Sequence, residues 1–213
     1  EGKIATIDAV IQVVRGNIRR QQDWLRALRA EAADLERAGK PLTPRLSEGL
    51  GKAERTIRDS YAVIVNHERQ KEQVRQGFER DLERFRQLKD IPEDSTTAES
   101  PLPGLALRNL VTCEGEAQCD QYWARAVQFV AAHATTAIQT SGPSLVITAP
   151  PEGPQDRSFT LSRLPDKAAD AASIFLDMQC KNPVLADTSC HDEGAGMLLD
   201  RFRGAVTGAG PVL

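Results

Sequence analysis

A repeat of apolar residues at alternating steps of three and four dominates the start of this chain. Ile4, Ile7, Ile11, Val14, Ile18, Gln21, Leu25, Leu28, Ala32 and Leu35 follow one another in that pattern, and only Gln21 is polar. A sustained spacing of 3.5 residues keeps one narrow stripe facing a partner helix, which is the condition for a coiled coil. The first helix is expected over residues 3–38, because Gly39 and Pro41 follow as a stop signal.

Thr43 and Pro44 then supply an N-cap and a first-turn proline for a second helix over residues 44–89. Its apolar positions include Leu46, Leu50, Ala53, Ile57, Tyr61, Ile64, Val74, Phe78, Leu82, Phe85 and Leu88. So short a connection makes the two helices antiparallel neighbours. The second seam turns polar around His67, Glu68 and Lys71, which leaves Ile11 and Val14 opposite without apolar partners in the hairpin; either a register shift brings in neighbouring side chains or a second hairpin covers them in a four-helix dimer. Leu82, Phe85 and Leu88 extend past the start of the first helix, where either an upstream continuation of that helix, suited to a membrane anchor, or the second domain is expected to pack. Ile11, Val14, Leu82, Phe85 and Leu88 are therefore the expected oligomer or partner interface, with a homodimer through the helices as its simplest form.

Residues 1–89 are thus read as an antiparallel coiled-coil hairpin. Residues 90–106 carry three prolines among small polar residues and read as a linker. Residues 107–213 read as a small α+β domain. Strand-like runs are expected at 107–113, 135–140, 144–149, 157–163 and 172–180, with helices at 116–133 and 193–206. The order β-α-β-β-β-β-α predicts a mostly antiparallel sheet with helices on one face. Phe159 and Leu161 alternate with Thr160 and Ser162, so the opposite face is expected to be wet. The tail after Thr207 is expected to fray.

The charge split separates the halves. Residues 1–90 hold 19 Lys and Arg against 15 Asp and Glu, a net of +4, whereas residues 91–213 net −7. The basic half interleaves its Arg with Glu and Asp, as solvated helix faces do, and has few aromatics for base stacking, so nucleic acid is not an expected partner.

All four cysteines lie in the second half, as two local pairs: Cys113 with Cys119, and Cys180 with Cys190. Neither pair has C-x-x-C spacing, and both gaps are rich in loop formers. Two disulfides and an oxidising compartment are expected. No run approaches the length of a membrane-spanning helix. The chain starts at Glu1 rather than Met, and an anchor or signal segment upstream of residue 1 is expected to tether it to the inner membrane. Arg outnumbers Lys 20 to 7, which suits a GC-rich bacterium.

The sequence carries no catalytic motif. Cys190, His191, Asp192 and Glu193 are contiguous and cannot converge on one ion. His133 sits on an apolar helix face and reads as a core histidine; His67 reads as a partly exposed residue paired with Glu68 or Glu72. There is no G-x-S-x-G motif, no isolated carboxylate pair and no phosphate-binding loop. No cofactor, metal or enzymatic activity is expected.

In layout alone, with no motif behind it, the chain resembles inner-membrane accessory proteins of secretion and pilus machines. The expectation is a periplasmic, non-enzymatic adaptor or assembly protein of the bacterial cell envelope. Its coiled coil would serve as spacer and oligomerisation arm, and its second domain would bind an envelope protein. The alternatives are a periplasmic sensor that signals through the hairpin and a hydrolase with an unrecognised site.

Overall fold

The computed structural model describes residues 2–89, 107–166, 170–181, 190 and 193–208. Its elements are α1 (Gly2–Arg37), α2 (Pro44–Lys89), β1 (Leu110–Glu114), α3 (Glu116–His133), β2 (Ile138–Ser141), β3 (Leu145–Thr148), β4 (Arg157–Pro165), β5 (Ala171–Cys180) and α4 (Glu193–Thr207). The fold is α+β, in the predicted order of elements. The expected linker at 90–106 and the tail beyond Gly208 lie outside the described residues.

The hairpin turn follows from its capping residues. Gly39 has a left-handed φ of 66°, which only a residue without a Cβ adopts freely. This lets the Gly39 amide donate to Glu36 O and the Lys40 amide to Leu35 O, both at 2.9 Å, closing the end of α1 as a Schellman motif. Thr43 Oγ1 then accepts from the Leu46 amide at 3.2 Å, and Pro44 opens α2. The seam positions Ile7, Ile11, Ile18 and Leu25 of α1 are buried, as are Leu46, Ala53, Ile57, Tyr61, Ile64 and Val65 of α2.

The five strands form one antiparallel sheet in the order β1-β5-β4-β3-β2. The long central pair β4·β5 runs in register from Arg157↔Cys180 to Pro165↔Ala172. Successive strand residues point to opposite faces, and here both faces are covered. On one, Phe159, Leu161, Ile174, Leu176 and Met178 pack against Trp123, Phe129 and Val130 of α3 and Leu198, Phe202 and Val206 of α4. On the other, Leu110, Leu145, Ile147, Leu164 and Phe175 share a core with Ile7, Ile11, Ile18, Leu25, Ile57, Tyr61 and Ile64 of the hairpin.

Two expectations are corrected by this second layer. Helices cover both faces of the sheet rather than one. The face bearing Thr160 and Ser162 is dry: these residues are 3% and 0% exposed. The alternation of β4 marks a polar face, but the hairpin, whose Gln22 lies 138 positions from Thr160, supplies its lid. The apolar partners missing from the polar seam come from the same packing. Ile11 is 3% exposed within the shared core, and Val14 packs against that core half-buried.

Candidate functional site

A polar cluster sits between the hairpin and the sheet. Asp177, on the hairpin face of β5, is 2% exposed. Arg15 Nη1 donates to Asp177 Oδ1 at 2.7 Å, Tyr61 Oη donates to Asp177 Oδ2 at 3.1 Å, and Gln179 Nε2 approaches Oδ2 at 3.3 Å. A buried carboxylate costs several kcal/mol in desolvation unless its lone pairs are filled, and these three donors fill them. The Asp177 carboxylate raises the pKa of the Arg15 guanidinium, so Arg15 stays charged. Burial, then the Asp177 charge, pushes the Tyr61 hydroxyl well above its ordinary value.

Further polar contacts line the same seam. Gln22 Nε2 donates to Thr160 Oγ1 at 3.0 Å, and Arg29 donates both to Gln139 O at 3.0 Å and to Glu54 Oε1 at 2.7 Å. A cavity of about 20 Å³ lies beside Gln22, Thr140, Thr160 and Gln179. That is room for one water molecule. The cluster fastens two layers together. It presents no nucleophile beside a general base, because the carboxylate is saturated by a permanent cation and a tyrosine of raised pKa.

Two of the open grooves among the described residues lie elsewhere. One, of about 460 Å³, is at the hairpin tip, where Trp24, Leu28 and Leu46 are rimmed by Glu31, Arg45 and Lys52. Its floor is tight: a Cβ added at Gly49 would meet Leu28 Cδ1 at 3.3 Å. The other, of about 490 Å³, borders Cys119, Arg58, Arg163 and Asp170. Its Arg163 is engaged by Asp120 at 2.6 Å.

The cysteines pair as expected. Cys113 is bonded to Cys119 and Cys180 to Cys190, each pair with Cα atoms 5.2 Å apart. The first bridge joins the end of β1 to the first turn of α3 across Gly115, whose φ of 77° makes the corner. Both its sulfur-bearing residues are buried against Ala172. The two bridges are compatible with an extracellular or periplasmic location.

The histidines take unremarkable places. His133 is half-buried, stacked on Phe129 with ring centroids 4.2 Å apart, and its Nδ1 lies 2.8 Å from Phe129 O. His67 Nδ1 lies 3.0 Å from Gln70 Oε1, so its partner is Gln70 rather than Glu68 or Glu72. Glu68 instead pairs with Lys71, which also reaches Asp8. His191 and Asp192 lie outside the described residues. Among the described residues no group of His, Cys, Asp and Glu has metal-binding geometry, and no helix is long and apolar enough to cross a membrane.

The expected interface residues separate into two places. Ile11 and Val14 are taken up under the sheet, as described above. Leu82 is half-buried, Phe85 is 52% exposed and Leu88 77%, and Phe78 beside them is 67% exposed. Lys71 Nζ lies 2.7 Å from Asp8 Oδ1, and this pair sets the level of the two helices. Gly2, the first described residue, then falls opposite about residue 77, and among the described residues no helix lies beside Phe78–Lys89. The site that sequence reasoning missed is the Arg15–Tyr61–Asp177 cluster. A lone Asp inside the run Ser173-Ile174-Phe175-Leu176-Asp177-Met178 was the available signal, since a charge there must be paired.

No protein-family model, curated protein or solved structure matches this chain.

Proposed function

We propose that this protein is a non-enzymatic adaptor of the bacterial cell envelope, with the free end of α2 as its interaction arm. The observation that carries the reading is the segment Phe78–Lys89, where Phe78, Phe85 and Leu88 are more than half exposed among the described residues. Large apolar side chains gathered on a solvent-facing helix usually mark a contact with another protein. The sheet and hairpin, fastened by Arg15 and Asp177, form the rigid body from which the arm projects. Two disulfides support a periplasmic setting, and a segment upstream of residue 1 is proposed to tether the protein to the inner membrane.

A photoreactive amino acid placed at Phe85 or at Leu88, with Met197 on α4 as a control, tests the arm in cells. Met197 is 57% exposed on a different part of the surface. Crosslinks to another protein chain from positions 85 and 88, and not from 197, are the expected result. Crosslinks confined to the same chain would overturn the reading.

A second reading, a ligand sensor that signals through the hairpin, is favoured by the polar seam under α1 and α2. Inter-domain surfaces that move tend to be more polar than permanent ones. A ligand that slid the hairpin would have to break the Arg15–Asp177 contact.

A further inference from the structure

We propose that the Cys180–Cys190 bridge is a site of thiol–disulfide exchange, opened in the folded protein by an external dithiol, whereas Cys113–Cys119 is not. The inference stands apart from the adaptor reading.

The two bridges have the same Cα–Cα span, 5.2 Å, and join residues 6 and 10 positions apart in sequence. Their surroundings separate them. Exchange begins when a thiolate attacks one sulfur of the bridge, so a bridge reacts in the folded state only where a thiolate can reach it. Cys113 and Cys119 are 2% and 1% exposed, packed against Ala172 and Tyr122. Cys113 sits inside β1, in register with Ala172 of β5, and Cys119 sits in the first turn of α3. Neither sulfur is reached unless β1 or α3 leaves the core that holds Val111, Trp123, Phe129 and Val130.

Cys180 and Cys190 are both only half-buried. Cys180 is the last residue of β5, and its pairing with Arg157 is the last rung of the central ladder. Cys190 lies three positions before the start of α4 and packs against the edge of the core. Lys181, next to Cys180, is exposed, and its positive charge favours a thiolate at this end of the sheet.

The exchange balances as follows. One sulfur of the dithiol bonds to one sulfur of the bridge, the bridge S–S bond breaks, and the departing cysteine thiolate takes up a proton. The second sulfur of the dithiol then displaces the mixed disulfide. The dithiol loses two electrons and becomes a disulfide; Cys180 and Cys190 gain them and become two thiols. The fold does not depend on this bridge, because α4 is held by other contacts. Ala195, Leu198, Phe202 and Val206 are buried in the core. Arg203 Nη2 donates to Leu107 O at 3.1 Å and to Leu110 O at 3.3 Å, and Arg108 pairs with Asp200 at 3.0 Å. The product is a folded protein carrying two free thiols.

The test is reduction of the intact, folded chain by dithiothreitol at neutral pH without denaturant, with free thiols alkylated over time and located by peptide mass mapping. Cys180 and Cys190 are expected to be alkylated together, at a rate proportional to dithiothreitol concentration. Cys113 and Cys119 should stay linked at least about a hundred times longer, because their rate is scaled down by the equilibrium for opening β1 and α3. Urea below the unfolding transition should speed the opening of Cys113–Cys119 and leave that of Cys180–Cys190 nearly unchanged. Circular dichroism of the singly reduced protein should match that of the oxidised one. Equal rates for the two bridges, or earlier opening of Cys113–Cys119, overturn the proposal. So does a Cys180–Cys190 rate independent of dithiothreitol concentration, since reduction would then wait on unfolding. Loss of helical signal when Cys180–Cys190 alone is reduced also overturns it. Crosslinking from Phe85 and Leu88 reads a different region, so the adaptor reading stands or falls separately.

Discussion

Arg15 Nη1 lies 2.7 Å from Asp177 Oδ1, joining the first helix to the last strand across 162 positions of sequence. Their side chains are 17% and 3% exposed, so the pair works largely out of water. Tyr61 from the second helix meets the same carboxylate, and three separate elements converge on one buried anion.

Replacing Asp177 with Ala should therefore be strongly destabilising. It leaves the Arg15 guanidinium buried without a counter-charge, at a cost of about 3–5 kcal/mol. Urea unfolding followed by circular dichroism measures this directly. A loss below 1 kcal/mol would mean that Arg15 swings out to water once its partner is gone.

Tyr61 makes the protein sensitive to alkali. Its hydroxyl pKa is raised in the folded state, so folding holds a proton that the unfolded chain releases above about pH 10. Stability contributed by this group is complete below the unfolded value and falls as pH rises through the alkaline range. Tyr61→Phe should cost about 1.5–3 kcal/mol at neutral pH, because a hydrogen bond to a carboxylate is lost. It should also remove part of the fall in stability between pH 9 and 11 seen in the wild type. Parallel pH profiles for the two proteins would refute the Tyr61 contribution.

Thr160 and Ser162 occupy the same face of β4 but should respond in opposite ways. Thr160 Oγ1 accepts from Gln22, so Thr160→Val breaks a bond and costs about 1 kcal/mol. The buried Ser162 Oγ has no hydrogen-bond partner among the described residues. Ser162→Ala should be neutral or stabilising by up to about 1 kcal/mol, since no bond is lost and a buried polar atom is removed. Thermal melts of the two variants side by side distinguish them.

Leu25, 1% exposed in the hairpin seam, should not tolerate a charge. Leu25→Asp places a carboxylate where no donor meets it and costs several kcal/mol. A melting temperature unchanged from wild type would contradict the packing of α1 on α2 and the sheet.

Peptide mapping without reduction should recover Cys113 linked to Cys119 and Cys180 to Cys190. Each short loop contributes roughly 2–3 kcal/mol by restricting the unfolded chain. Reduction should lower the unfolding midpoint accordingly, and recovery of four free thiols from native protein would remove the support for an oxidising compartment.

The parts of this fold set by local chemistry were legible in the sequence. The seam repeat from Ile4 to Leu35 required a partnered helix, and Gly39, Thr43 and Pro44 required a turn between two. Cysteine pairs separated by short loop-forming segments required local bridges. Alternation in β4 identified Phe159 and Leu161 as one face and Thr160 and Ser162 as the other. Each of these signals lies within a few turns or a strand, where spacing alone determines which side chains share a face. What covers each face is a different matter. Nothing near Thr160 indicates that Gln22 will lie over it, and nothing near Ile11 indicates that the sheet will fill the gap left by His67, Glu68 and Lys71. Those contacts depend on how the hairpin is set down on the sheet. Its position is chosen by the joint burial of Tyr61, Phe175 and Leu145 and by the need of Asp177 for a cation, both of them long-range terms that no sequence window contains. Sequence alone determined the elements and their order, and already set Phe85 and Leu88 beyond the start of the first helix; only the tertiary structure decided that the sheet's polar face would be closed and that Ile11 and Val14 would be covered by it.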